Sequence, residues 1–276
     1  NDQVRFDLVF QILGSQLEII TPIRDQQLSR AEEVAYLAKH GLAWPEKKGT
    51  YSINAGLWGT SVGGAQTLTS NQNLPEEAWP VAMTATQSRS LRLHFEKGEF
   101  KGFDGDKFAS PVAAIQALEA VAAPYGVGRD IHVGDTIIGI KGRVGFAAAA
   151  PILILKSHHL LEKHTLGKWQ MYWKDQLATW YGMMVHEGQF LDPVMRNIES
   201  FLESTQAPVT GDVLLTLHPY RYVLDGIESP YDMLGAGFGQ YGEMNHGWSG
   251  ADVKGFTKIL SLAGQIQRAV HQKGEE

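Results

Sequence analysis

The sequence predicts an α+β fold, and three observations point there. A helix, a short strand and a second helix follow one another within the first 41 residues, as they would at the tail of an α/β domain. Beyond residue 50 strand-like runs gather together, and a helical stretch then extends from about residue 152 to 201 with no strand inside it. Strands and helices are therefore segregated rather than alternating, and one amphipathic helix closes the chain.

In order, Val4, Phe6, Leu8, Val9, Phe10, Ile12 and Leu13 make residues 4–13 apolar on most sides. They predict a buried helix, capped by Asn1 or Asp2 and ended by Gly14. Leu17-Glu18-Ile19-Ile20-Thr21 is β-branched enough for a short strand, stopped by Pro22. Ser29 opens a helix with Glu32 and Glu33 in its first turns, and Val34, Leu37 and Ala38 line one face up to Gly41. Trp44-Pro45-Glu46-Lys47-Lys48-Gly49 reads as a boundary.

Leu91-Arg92-Leu93-His94-Phe95 then alternates as a strand, with turns at Glu96-Lys97-Gly98-Glu99 and Asp104-Gly105-Asp106 between further short strands. Pro111 suits the first turn of a helix over 111–123, whose apolar positions are Val112, Ile115, Leu118 and Val121. Residues 135–141 are strand-like. The stretch 152–201 divides into two or three helices at Gly188 and Asp192-Pro193, and 213–217 with 221–224 form a hairpin around Pro219. Ser249-Gly250-Ala251-Asp252 resembles a capping box, and Val253, Phe256, Ile259, Leu260, Ala263, Ile266 and Val270 recur at helical spacing. That stripe needs cover from its own subunit or from a neighbour.

With 276 residues and 43% hydrophobic content, the chain can bury the core of one large domain or two smaller ones. Its net charge is −6, and Lys47-Lys48 is its only adjacent basic pair, which argues against a nucleic-acid partner. The absence of Cys excludes disulfides, thiolate metal sites and Cys nucleophiles. The longest apolar stretch, residues 144–155, is well short of the ~20 residues a bilayer needs, so no membrane partner is expected. No basic region followed by an apolar run opens the sequence, and the expectation is a cytoplasmic protein.

Two glycine-rich stretches, 49–64 and 126–145, read as long loops with functional potential. In the first, Ser52 and Ser61 offer hydroxyls that donate and accept, and the glycines let backbone amides approach a ligand. This suits a zwitterion, although a structural loop anchored by Trp58 accounts for the same residues. Gly126-Val127-Gly128-Arg129-Asp130 matches a dinucleotide fingerprint weakly, since no strand precedes it and no helix follows. Lys141 and Arg143 could meet substrate carboxylates or pair with Asp130 and Asp135, and the residues leave both open. His158, His159 and His164 near Glu162 lack a dense ligand spacing, so a solvated helix face is favoured over a metal site. Tyr172, Trp173, Trp180 and Tyr181 read as core or interface.

Taken together, Asn1-Asp2-Gln3-Val4-Arg5-Phe6, Tyr51-Ser52-Ile53-Asn54 with Leu57-Trp58 and Ser61, and Phe95-Glu96-Lys97-Gly98 resemble the argininosuccinate synthases. So do Gly126-Val127-Gly128-Arg129, Gly139-Ile140-Lys141-Gly142-Arg143, Val209-Thr210-Gly211 and Glu228-Ser229-Pro230, in matching order and spacing. The wording is most similar to divergent, Bacteroidetes-like bacterial members.

The resemblance implies three parts: a remnant of the nucleotide-binding α/β domain over 1–45, a synthetase and multimerisation domain over 46–248, and an oligomerisation helix over 249–276. It implies a ligase that adenylates citrulline with ATP and Mg2+ and joins it to aspartate, acting as a homotetramer. By match, Asn1 would contact citrulline and aspartate, Asp2 the aspartate and Arg5 the citrulline carboxylate, while Ser52 and Ser61 would hold citrulline's backbone groups. Four departures stand out. The family's Ser-Gly-Gly-x-Asp-Thr-Ser pyrophosphate loop does not occur in these residues, so the main nucleotide site is expected to be absent and the chain alone inactive. A citrulline-binding Glu aligns with Gly134, leaving Asp135 as the substitute, and a citrulline-binding Tyr aligns with Phe146. The next family Glu is Ala147, so either citrulline is held differently or a modified citrulline is the substrate. The alternative function is a non-catalytic assembly scaffold or amino-acid-binding module.

Overall fold

A computed structural model describes residues 1–43, 50–238, 241–242 and 247–274, the side chain of Arg30 excepted. The expected boundary at 44–49 lies outside the described residues. The chain divides into two compact units, Asn1–Tyr231 and Asp232–Glu276.

The first unit opens with α1 (Asp2–Leu13), α2 (Pro22–Gln26) and α3 (Arg30–Lys39). Ser29 and Glu32 form the capping box that starts α3, and Gly14 closes α1. Two corrections apply here. The 4–13 helix is not buried, because among the described residues nothing covers Phe6, Ile12 or Leu13, all more than half exposed. The strand expected at 17–21 is absent: no described strand lies beside it to pair with, and Pro22 instead takes the first position of α2, where its missing N–H costs nothing.

Two antiparallel sheets follow. One has the order β1-β2-β6-β5, from β1 (Ser52–Gly56), β2 (Gly59–Gly63), β5 (Arg129–Asp135) and β6 (Lys141–Ala147). The other has the order β4-β3-β7-β8, from β3 (Arg89–Glu96), β4 (Glu99–Phe103), β7 (Gly211–His218) and β8 (Arg221–Glu228). Both glycine-rich stretches read as loops are therefore hairpins. The 135–141 segment is the turn of one of them: the Thr136 hydroxyl accepts the Ile140 amide at 3.0 Å and Gly139 turns at φ 82°, a left-handed value glycine takes without strain.

The main core lies between the second sheet and helices α4 (Pro111–Ala122) and α5 (Ala149–Thr165). Burial alternates along β7, with Val213, Leu215 and Leu217 fully inside against Leu93, Phe95, Leu118 and Leu153. Each such side chain contributes about 1.5–3 kcal/mol of apolar burial. α6 (Lys168–His186) and α7 (Pro193–Gln206) pack on one another and on α5 through a polar junction described below. The second unit holds α8 (Gly250–Leu260), started by the Ser249–Asp252 capping box, and α9 (Leu262–Gly274). The single terminal helix expected is thus two, parted at Ser261, and no residue of either is buried.

Candidate functional site

One turn of α1 gathers an amide, a carboxylate and a guanidinium. Asn1 precedes the helix and does not cap it with its side chain; its Oδ1 instead accepts the Ile137 amide at 2.8 Å, in the β5–β6 turn. Arg5 lies one turn on, where its Nη1 donates to Asp2 Oδ1 at 2.9 Å and its Nε to the His186 carbonyl at 2.6 Å. That carbonyl ends α6, the negative pole of the helix, which suits a cation. Gly188 follows at φ 79°, and a Cβ there would stand 3.2 Å from the Arg5 Cα. A left-handed glycine thus makes room for Arg5.

The first sheet supplies the rest. Its pairing runs without a bulge, so facing residues share a side. Val62, Gly145 and Ile131 lie in one row on the side covered by Leu74, Ala78 and Trp79. The opposite, open side carries the row Asn54, Ser61, Phe146, Asp130 across all four strands. Ser52 and His132 flank that row on the same side, one pleat along. Among the described residues, neither the Ser52 nor the Ser61 hydroxyl has a hydrogen-bond partner, and Phe146 meets the His132 ring edge-on at 5.5 Å. A cavity of about 390 Å³ opens here, lined by Trp58, Asp130, His132, Phe146 and the α5 residues Ile152 and Leu155.

Of the residues singled out in the sequence, the structure brings Ser52, Ser61 and Phe146 onto one face. It ties Asn1 to the hairpin that carries Phe146, and Arg5 to Asp2 and to the end of α6. Asp135 does not join them: it falls on the covered-side parity, with Ile131, and binds Lys141 Nζ at 2.7 Å. The two open cations are also settled, since Arg143 donates to the Gln66 and Gln72 carbonyls at 3.0 and 2.8 Å. Arg129 is likewise structural. Its side chain is only 9% exposed, stacks on Trp79, binds Glu76 through Nη1 and reaches the Val81 carbonyl. The Met83 amide, then Arg129, hold the Glu76 carboxyl below its ordinary pKa. Asn54, Asp130 and His132 were missed, because their period-two alternation with the serines shows only once both stretches are read as hairpins.

The histidine cluster is not a solvated face. Glu162 is fully buried, salt-bridged to Lys174 at 2.6 Å and bonded by Gln206 at 3.0 Å. His158 and His159 stand 3.6 Å from it, and burial pushes His158 below its ordinary pKa. Among the described residues no group of three or more acidic or histidine side chains is placed to hold a metal ion. The aromatic residues Trp169, Tyr172, Trp173 and Trp180 of α6 are more than half exposed, which removes the core reading for them.

The family model described as Arginosuccinate synthase C-terminal domain matches residues 51–267, and that described as Arginosuccinate synthase N-terminal HUP domain matches residues 1–43. An argininosuccinate synthase of Dictyoglomus thermophilum is 33% identical over 267 residues, covering 95% of this chain and 66% of its own length. That of Xanthomonas campestris is 34% identical over 287 residues, covering 99% of this chain and 69% of itself. That of a Synechococcus strain is 30% identical over 277 residues, with 99% and 69% covered. This chain spans about two thirds of the length of these relatives. With both family domains matched in order along it, the chain belongs to the argininosuccinate synthase family.

Proposed function

We propose that this chain forms the amino-acid side of a citrulline–aspartate ligase of arginine biosynthesis. The observation that carries the reading is the cluster of Asn1, Asp2 and Arg5, tied through Asn1 to the hairpin of the open, hydroxyl-bearing sheet face, within a chain that the family's domains match over residues 1–43 and 51–267. Opposite charges on one helical turn suit two amino acids at once. The Arg5 fork takes the citrulline carboxylate, Asp2 the ammonium of aspartate, and Asn1 touches both. Ser52 and Ser61 hold citrulline's backbone groups.

The ureido oxygen of citrulline attacks the α-phosphorus of ATP, and the bond to pyrophosphate breaks. The ammonium of aspartate gives up a proton to water, and the free amine forms its bond to the ureido carbon as the bond from that carbon to the AMP oxygen breaks; a second proton leaves to water as the guanidinium forms. No covalent bond to the protein is needed; its work is to align the reactants and stabilise charge. Mg2+ enters with the nucleotide as substrate, and no step is routed through it. The Ser-Gly-Gly-x-Asp-Thr-Ser loop, which is not among these 276 residues, is assigned to the triphosphate, and this chain alone is inactive. The exposed aromatic residues of α6 and the exposed apolar residues of α8 and α9 support assembly with further copies of the chain; the homotetramer and the cytoplasmic setting are carried over from the family resemblance.

The test is pyrophosphate release with ATP, citrulline and aspartate. The expected result is none from this chain and robust release from a protein that also carries the loop. Turnover by the chain alone would overturn the assignment of the triphosphate site.

A further inference from the structure

We propose that Asp130 is the residue that receives the α-ammonium group of citrulline. The inference rests on the ligase reading above and names the partner for the charge on citrulline that reading leaves unmatched.

A free amino acid brings a cation and an anion on one carbon, so its site needs an anion set a short distance from hydrogen-bond donors. Among the described residues, Asp130 is the only carboxylate that the strand register assigns to the open face. Gly134 lies on the same face and offers no side chain, while Asp135 is on the other side and bound to Lys141. Asp130 faces Phe146, and Phe146 faces Ser61. One of its carboxylate oxygens accepts the Ile131 amide at 2.7 Å, which fixes the side chain and leaves the other oxygen without a partner.

Spacing supports the assignment. Ser61 and Asp130 stand two strands apart, about 9.5 Å at ordinary strand separation. An α-amino-acid head with a hydrogen bond of about 2.8 Å at each end spans close to 9 Å. The head therefore lies across the Phe146 ring, with its ammonium on Asp130 and the Ser61 hydroxyl donating to the carboxylate that Arg5 also takes. The aliphatic stem of citrulline is matched by the apolar walls of the 390 Å³ cavity. Because β5 is an edge strand, Asp130 also borders a hollow of about 300 Å³ on the covered side, beside Glu76 and Trp79. Arg129 already neutralises Glu76 there, which leaves Asp130 as the unpaired charge.

The experiment is calorimetric titration of the whole chain with L-citrulline and with ureidopentanoic acid, its analogue without the α-amino group. Asp130→Asn should weaken citrulline binding by about 10- to 100-fold, the range for losing a charged hydrogen bond, and leave the analogue unchanged. Asp130→Glu should restore most of the citrulline affinity, and Asp135→Asn should leave it at the wild-type value. Citrulline binding by Asp130→Asn within about twofold of wild type would overturn the inference while leaving the ligase reading intact. Equal weakening of citrulline and analogue would do the same, since the loss would then be independent of the ammonium. A wild-type chain that binds neither compound would overturn the ligase reading and this inference with it.

Discussion

Removing Lys174 puts the junction of α5, α6 and α7 to its most demanding test. Glu162 is wholly buried and Lys174 is 14% exposed, so their 2.6 Å contact is shielded from water on nearly every side. In Lys174→Met the carboxylate keeps, among the described residues, the Gln206 amide and two imidazoles 3.6 Å away. Breaking a buried pair by taking one partner costs about 3–5 kcal/mol, because the remaining charge stays buried without compensation. At about 2–4 °C of melting temperature per kcal/mol for a unit of this size, Tm should fall by about 6–20 °C. Circular dichroism in thermal and urea unfolding reads this directly. The double variant Glu162→Gln/Lys174→Met, which removes both charges, should regain more than half of the loss. A single variant that melted within about 3 °C of wild type would refute the account of Glu162 as an anion held by Lys174.

Acid should weaken the same junction through His158. Burial lowers its pKa from 6.5 in the folded chain, so below that value the unfolded chain binds more protons. The stability is therefore complete above pH 6.5 and lost as pH falls toward the folded pKa. Urea midpoints measured between about pH 7.5 and 5.5 should decline in wild type and decline less in His158→Gln. Gly188→Ala places a Cβ 3.2 Å from the Arg5 Cα at φ 79°, so it should cost about 1–2 kcal/mol in urea unfolding and weaken citrulline binding measured by calorimetry. Ser249→Ala removes the cap of α8 and should cost that helix about 0.5–2 kcal/mol, read as lost helical signal at moderate temperature.

Much of the framework could be read from residue patterns, since local chemistry decides it. The Ser29–Glu32 and Ser249–Asp252 boxes, Pro111 at a helix start and the alternation of Leu91, Leu93 and Phe95 each have one favourable structure. Asn1, Asp2 and Arg5 are singled out through the family resemblance alone, because the local pattern of those residues reads only as the start of a helix. What stayed hidden depends on pairing. Glycines in 49–64 and 126–145 look like loops until each stretch pairs: the β5–β6 hairpin sets Asp130 beside Phe146 and turns Asp135 away, and the pairing of β2 with β6 brings Ser61 alongside. The Leu17–Thr21 run fails for the opposite reason, because β propensity without a neighbouring strand stabilises nothing. Glu162 misleads by its surroundings: a carboxylate between histidines reads as solvated or metal-binding until Lys174, 12 residues away, is seen to reach it.

The central claim is that α1 discriminates two amino acids through separate charges. Equilibrium titration of L-citrulline and L-aspartate into wild type, Arg5→Ala and Asp2→Asn tests it most directly. The account predicts that wild type binds both, that Arg5→Ala weakens citrulline by at least about tenfold while sparing aspartate, and that Asp2→Asn does the reverse. Absence of binding in wild type, or equal weakening of both ligands in each variant, would contradict it.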